Sequence, residues 1–260
     1  MPELPSLEIF KKYFDNTSLN QQIINVDVKN PEILTNTSAD MLKEKLVGYQ
    51  FTVSRRYGKY LFCRLENDFH LILHFGMTGY LHYFQEDGHP YIRVLIQFDD
   101  GFNLGFVDMR KFGKVGLTRD VDAFIKEINL GPDALQIDQE TFIEKFKKRK
   151  ALIKPLLINQ NFIAGIGNLY ADEILYQSGI NPLSRSDKLG NKELRNLFRE
   201  MRKVLKTAVE YQDKPESLPP NFLLPHRHRD GVCPGGGSLN IIKVGGRTTY
   251  YCPQEQELYQ

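Results

Sequence analysis

The chain opens with a latent nucleophile, Met1-Pro2-Glu3. Aminopeptidases remove Met before a small residue such as Pro, which leaves Pro2 as a free secondary amine with Glu3 beside it. A secondary amine that attacks an electrophilic sugar carbon becomes an iminium ion, at once a covalent intermediate and an electron sink. A neighbouring carboxylate serves as general acid or base. The same dipeptide also suits a plain extended start with a solvated Glu3, so the chemistry depends on what else the chain carries.

Cations interleaved with aromatics and glycines recur downstream. In Arg55-Arg56-Tyr57-Gly58-Lys59-Tyr60, Lys59 sits at a strand-to-strand turn, either reaching a phosphate or a reacting sugar or tipping a solvated hairpin. In His74-Phe75-Gly76-Met77-Thr78-Gly79, Met77 offers a flexible thioether as a wedge between bases or as core, and His74 is a phosphate donor or a satisfied structural histidine. Asp108-Met109-Arg110-Lys111-Phe112-Gly113 supplies Arg110 to fill a vacated base position and Phe112 to stack on a neighbour. Gly165-Ile166-Gly167 precedes a helix that Asn168 would cap, leaving backbone N–H groups for a phosphate, with Lys154 upstream as a further cation. Arg247, after Gly245-Gly246, is a natural phosphate fork.

Metal chemistry has a thinner basis. Cys233-Pro234-Gly235-Gly236 and Cys252-Pro253-Gln254-Glu255 each read as half of a C-x-x-C knuckle without its second cysteine. Zinc would have to draw on Cys233, Cys252, His226 and His228. The histidines precede the hairpin instead of closing its loops, so the expectation is no metal and no cofactor for chemistry. Three widely spaced cysteines also predict reduced thiols and no disulfide, with Cys63 a buried thiol in a strand.

These groups need positioning by two kinds of structure. Runs at 22–28, 51–55, 59–65, 70–73, 79–84, 91–98 and 102–107 are rich in branched and aromatic residues and read as strands. Ile92, Val94, Ile96 and Phe98 alternate up to Asp100-Gly101, which favours a tight turn. Many short strands predict an antiparallel sandwich or barrel, preceded by a short helix over 5–14. After Leu130-Gly131-Pro132-Asp133 the periodicity turns helical, with helices expected at 139–148, 168–178 and 192–211. Two strand-like runs, 239–244 and 247–251, end the chain.

Composition narrows the classes. A chain of 260 residues, 41% hydrophobic and 25% charged, buries one sizeable core or two smaller ones. Glu3 precedes any apolar stretch and no run suits a membrane span, which predicts an intracellular, cytoplasmic protein. Lys and Arg number 34 against 32 Asp and Glu, so a nucleic-acid partner must be argued from where the cations lie.

Taken in order, the motifs resemble the formamidopyrimidine-DNA glycosylase and endonuclease VIII family of base-excision repair enzymes. Pro2-Glu3-Leu4-Pro5 with Glu8, Gly58-Lys59-Tyr60, the Met77 turn, 108–113, Leu130-Gly131-Pro132, 165–170 and 246–252 all fall in family order. The resemblance implies an α+β chain: an N-terminal catalytic β-sandwich over 1–130, a helix-two-turns-helix domain over 131–225 and a zinc-finger-like, zincless hairpin over 226–260. It implies a monomeric glycosylase with abasic-site lyase activity on damaged double-stranded DNA, with Pro2 as nucleophile, Glu3 as acid/base and Lys59 at the neighbouring phosphate. Met77, Arg110 and Phe112 would fill the gap left by a flipped nucleotide, and Asn168 and Arg247 would grip its flanking phosphates. The chain departs from the family at Ser6, where an acidic residue is common, and in a finger with two cysteines instead of four. The alternative is a DNA-binding protein with reduced catalysis that recognises abasic sites or distorted duplex.

Overall fold

A computed structural model describes residues 1–86 and 88–260, in two units: Met1–Pro2 with Ser6–Asn129, and Glu3–Pro5 with Leu130–Gln260. Helix α1 (Leu4–Ser18) runs past the 5–14 expected, because Leu7 and Phe14 bury one stripe and nothing breaks the helix before Leu19.

The first unit is the expected sandwich. In chain order it holds β1 (Ile23–Val28), β2 (Leu34–Thr35), α2 (Ala39–Leu46), β3 (Phe51–Tyr57), β4 (Tyr60–Leu65), β5 (His70–His74), β6 (Tyr80–Phe84), β7 (Ile92–Phe98), β8 (Asn103–Val107), β9 (Lys114–Thr118) and α3 (Val121–Glu127). One sheet runs β1-β7-β8-β6 and the other β2-β9-β5-β4-β3, antiparallel throughout except for the short β2 and β9 pair. Alternation in β7 does what alternation must: Ile92, Val94, Ile96 and Phe98 are buried while Arg93, Leu95 and Gln97 are not. At the β7 to β8 turn Gly101 adopts φ +85°, and the Phe98 N–H closes on the Phe102 carbonyl at 2.9 Å. Leu71, Leu73, Leu81, Val94, Ile96, Leu104 and Phe106 from both sheets form one core.

Strand β9 and helices α2 and α3 were outside the expectation. Helix α2 had a local signal, Ser38 capping the Met41 N–H at 3.1 Å with Leu42 and Leu46 buried one turn apart. Strand β9 carries Gly116, whose side is closed by Asn36 and the Thr35 carbonyl, so its strand character comes from its neighbours on either side.

The second unit holds α4 (Gln139–Lys147), α5 (Ile153–Ile158), α6 (Asn168–Gln177), α7 (Asn191–Glu210), β10 (Asn240–Val244) and β11 (Arg247–Tyr251). Three helices match the expected spans to within a residue or two, and α5 is added. The α7 stripe Leu194, Leu197, Phe198, Met201 and Leu205 is buried, packed with Phe142 and Phe146 of α4 and Ile174 of α6. Strands β10 and β11 pair antiparallel over five residues each around Gly245-Gly246, both at positive φ as a two-residue hairpin turn requires. Among the described residues no helix is long and apolar enough to cross a membrane.

Candidate functional site

Glu3 is not solvated. It belongs to the second unit, is 2% exposed, and its carboxylate accepts backbone N–H groups of Gly167 at 2.7 Å, Leu169 at 2.9 Å and Tyr170 at 3.3 Å. The first turn of α6 leaves these donors unpaired and carries the positive end of the helix dipole, so a carboxylate is the natural occupant. Two glycines make the seat. A Cβ on Gly167 would overlap the Glu3 carboxyl group, while Gly165, at φ +113°, lies against Leu4 and accepts the Leu4 N–H at 3.0 Å.

Two sequence expectations are corrected here. Asn168 does not cap α6, because Gly167 is the cap residue and Glu3 supplies the capping oxygens. The N–H groups expected to await a phosphate already hold that carboxylate. Asn168 instead donates from Nδ2 to the Thr248 carbonyl at 3.0 Å.

Lys154 is also corrected. Its side chain is 0% exposed, and Nζ lies 2.6 Å from Asp172 Oδ1 and donates to Thr249 Oγ1 at 2.6 Å. A fully buried ammonium cannot reach a phosphate at the surface. Arg227 donates from Nε to Asp172 Oδ2 at 2.9 Å and from Nη2 to the Thr248 carbonyl at 3.2 Å, with its guanidinium over the Tyr250 ring. Tyr250 N–H adds a bond to Asp172 at 3.2 Å, and Thr249 Oγ1 donates on to the Arg247 carbonyl at 3.0 Å. One buried carboxylate between two cations thus pins residues 248 to 250 of β11 and leaves Arg247 exposed beside the turn. Burial lowers the Lys154 pKa and raises that of Asp172; each is opposed by the other's charge.

In the first unit Lys59 follows Gly58, at φ +54°, in the β3 to β4 turn. Arg56, almost fully buried, braces this turn by donating from Nε to Glu8 Oε1 at 2.6 Å and from Nη1 to the Gly58 carbonyl at 3.3 Å. The Met77 and 108–113 loops are stitched together by Asp108. It accepts Thr78 Oγ1 at 2.6 Å and the N–H groups of Arg110 at 3.1 Å and Gly113 at 2.7 Å. Gly76, at φ +58°, lies so close to the Phe112 backbone that no side chain fits. Met77, Arg110 and Phe112 are exposed, and the Arg110 guanidinium sits 4.9 Å from the Phe112 ring centre.

His74 takes the structural course. Its Nδ1 accepts the Gly76 N–H at 3.3 Å, and burial, helped by the Lys59 and Lys114 charges, lowers its pKa to about 4. A neutral imidazole braces the turn and brings no positive charge to a phosphate.

The expectation of reduced cysteines is overturned. Cys233 and Cys252 form a disulfide, Cα atoms 6.0 Å apart, buried with Leu223 and Leu239; Cys63 is a free buried thiol in β4, its pKa pushed well up by burial. Both thiols that zinc would need are therefore spent on each other. Among the described residues no group of three or more His, Cys, Asp or Glu side chains is arranged to hold a metal, so His226 and His228 complete no site. The residues present do not suit the zinc of a four-cysteine finger.

Sequence reading missed Asp172, Glu173 and Asp108. Glu173 is buried beside Asp172 and accepts the Leu223 and Leu224 N–H groups at 3.1 and 2.7 Å; burial raises its pKa to about 7. A signal was present for α6, since consecutive acids in a helix otherwise packed in the core demand buried partners.

Comparison with known proteins gives the family of the chain. Residues 1–115 match the formamidopyrimidine-DNA glycosylase N-terminal domain, and residues 130–217 match the formamidopyrimidine-DNA glycosylase H2TH domain. A formamidopyrimidine-DNA glycosylase of Pelotomaculum thermopropionicum is 32% identical over 99% of this chain and 100% of its own, and one of Arabidopsis thaliana is 30% identical over 100% of this chain and 72% of its own. Lactococcus lactis Fpg, solved with DNA containing N7-benzyl-Fapy-dG, superposes with a TM-score of 0.90 at 27% identity, covering 98% of this chain and 100% of that one. A sandwich followed by a helix-two-turns-helix unit with a hairpin finger is the architecture of a base-excision DNA glycosylase. The chain belongs to the formamidopyrimidine-DNA glycosylase family.

Proposed function

We infer that this chain is a base-excision-repair DNA glycosylase with abasic-site lyase activity, working on oxidised or ring-opened bases in duplex DNA and using no metal or cofactor in its chemistry. The observation that carries the reading is the seat of Glu3: a carboxylate immobilised by three helix N–H groups, one peptide bond from Pro2. A solvated terminal glutamate would need no such seat.

With Met1 removed, the Pro2 amine attacks C1′ and the glycosidic bond breaks, the base leaving with a proton. Sugar ring opening gives the iminium ion, and Glu3 exchanges the proton with the ring oxygen. The iminium acidifies the C2′ protons, so elimination of the 3′ and then the 5′ phosphate follows. Lys59 holds the phosphate beside the lesion, Asn168 and Arg247 grip the flanking phosphates, and Met77, Arg110 and Phe112 occupy the gap left by the flipped nucleotide. Lys154 and His74 act on DNA only through the elements they brace. Work on DNA assigns the protein to the intracellular space.

Borohydride trapping on abasic-site duplex tests this directly. The processed protein is expected to yield a covalent adduct that Pro2→Gly nearly abolishes. Absence of an adduct would leave only the DNA-binding alternative.

A further inference from the structure

The finger keeps the shape of two metal knuckles without their second cysteines. After Cys233 the chain turns so that Gly236 N–H donates to the Cys233 carbonyl at 2.8 Å and Cys233 N–H donates to the Gly237 carbonyl at 2.6 Å. After Cys252 the Glu255 and Gln256 N–H groups donate to the Cys252 carbonyl at 3.2 and 3.1 Å. Gly236 and Glu255 thus occupy the third place after each cysteine, where a metal knuckle has its second thiolate. What joins the two turns is the bond between Cys233 and Cys252, at the open end of the β10 and β11 hairpin whose closed end carries Arg247. Gln256 locks the second turn, accepting the Cys252 N–H at 2.8 Å and donating to the Ile180 carbonyl at 2.8 Å.

Among the described residues no buried ion pair holds the first strand. The buried Lys154, Asp172 and Arg227 charges hold β11 at residues 248 to 250, whereas β10 is largely exposed apart from Val244. Beyond its ladder to β11 and the buried Val244 beside the turn, β10 is joined to the rest of the unit through the cystine and Leu239 that precede it. A finger of this size buries too little apolar surface to close itself, and a covalent link supplies what a metal would.

We propose that Cys233 and Cys252 are a thiol–disulfide exchange site standing in place of the finger metal, with dithiols as its reductants. Oxidised, the pair closes the finger and sets Arg247; reduced, it releases β10. A reductant thiolate attacks Cys233 Sγ, forming a mixed disulfide and expelling the Cys252 thiolate, which takes up a proton. The reductant's second thiol then attacks its own sulfur in the mixed disulfide and frees Cys233, which also takes up a proton. The reductant leaves as a disulfide, and the protein has gained two electrons and two protons. Both sulfurs are buried, so attack requires the 234–237 segment to lift, and a dithiol that resolves its own adduct is favoured over a monothiol.

Only the DNA readout rests on the glycosylase reading; the thiol count stands without it. Full-length protein is equilibrated with oxidised glutathione or with dithiothreitol, freed of reagent, and its thiols are counted in denaturant. The expected counts are one, from Cys63, and three. Binding to a duplex carrying a tetrahydrofuran abasic analogue is expected to weaken about tenfold on reduction, a change of ~1.4 kcal/mol. Cys252→Ser is expected to bind like the reduced protein and to ignore dithiothreitol; if that variant misfolds, the two redox forms of the natural chain give the comparison alone. Three thiols after oxidation, equal binding by both forms, or one equivalent of zinc retained by the reduced finger would each overturn the proposal.

Discussion

The Glu3 carboxylate sits on the Gly167 N–H at 2.7 Å, and the missing Gly167 side chain is what gives it room. A helix start that reads as a phosphate cradle therefore holds a carboxylate from near the start of the same chain. The helix dipole and three N–H groups fix the carboxylate next to Pro2 without spending a side chain on it.

Gly167→Ala is expected to displace Glu3 while leaving Arg247 and the 108–113 loop in place. Single-turnover base excision should fall by about two orders of magnitude, the usual cost of misplacing a catalytic acid or base. Duplex binding should change little. Unchanged excision with a correctly folded variant would show that the seat is not needed.

Lys154 and Asp172 form a buried pair; without Lys154, Asp172 keeps Arg227 as its cation and the Thr249 hydroxyl loses its donor. Lys154→Met is expected to cost roughly 1–3 kcal/mol in denaturant unfolding, the cost of buried polar groups left short of a partner. Lys154→Met combined with Asp172→Leu should recover part of that loss, although Arg227 then lacks its carboxylate. A single variant as stable as the parent would mean the pair is not buried as described.

Arg247 is exposed and Lys154 is not, so the two should differ in salt dependence. Arg247→Ala is expected to lower the slope of log binding against log salt by about one phosphate's worth, ~0.9. Lys154→Met should weaken binding with the slope kept. Equal slopes for parent and Arg247→Ala would remove Arg247 from the phosphate contacts.

Burial pushes the Glu173 pKa up from the ordinary 4.5 to about 7, so between these values the folded state holds a proton that the unfolded state has lost. Stability from this group is full below pH 4.5 and declines as pH rises to about 7, where the loss is complete. His74, lowered to about 4, has the opposite sign in an overlapping window: it costs stability as pH falls below 6.5. Glu173→Gln is therefore expected to flatten the decline between pH 4.5 and about 7, seen as the parent-minus-variant difference in melting temperature. A difference independent of pH would show that Glu173 does not titrate there.

Much of the fold was legible because its signals are local. Alternation marked β7, the Asp100-Gly101 pair marked its turn, and a stripe every third or fourth residue marked α7. Strand β9 escaped because it owes its conformation to strands distant in sequence, whereas α3 carried a local signal, Asp120 capping a turn whose Val121, Phe124 and Ile125 are buried. In the candidate site, Met77, Arg110, Phe112, Lys59 and Arg247 were readable as cations and apolar side chains on turns, and all but the half-buried Lys59 are exposed. Their braces were not, because Asp108, Glu8 with Arg56, and Asp172 act through contacts with residues far along the chain or loops whose folding decides the distance.

From the sequence alone came a candidate nucleophile with its neighbouring carboxylate, the order of the cation-bearing turns, the change from strands to helices near Leu130 and a finger stripped to two cysteines. Each is a property of residue type and spacing, which the chain carries before it folds. The tertiary structure decided the destination of each group. It sent Glu3 to the α6 N-terminus, Lys154 into the interior and Cys233 onto Cys252, 19 residues away. A polar group can be read as a ligand for something outside only until folding brings it an internal partner; once buried, it must take that partner or lose its hydration uncompensated.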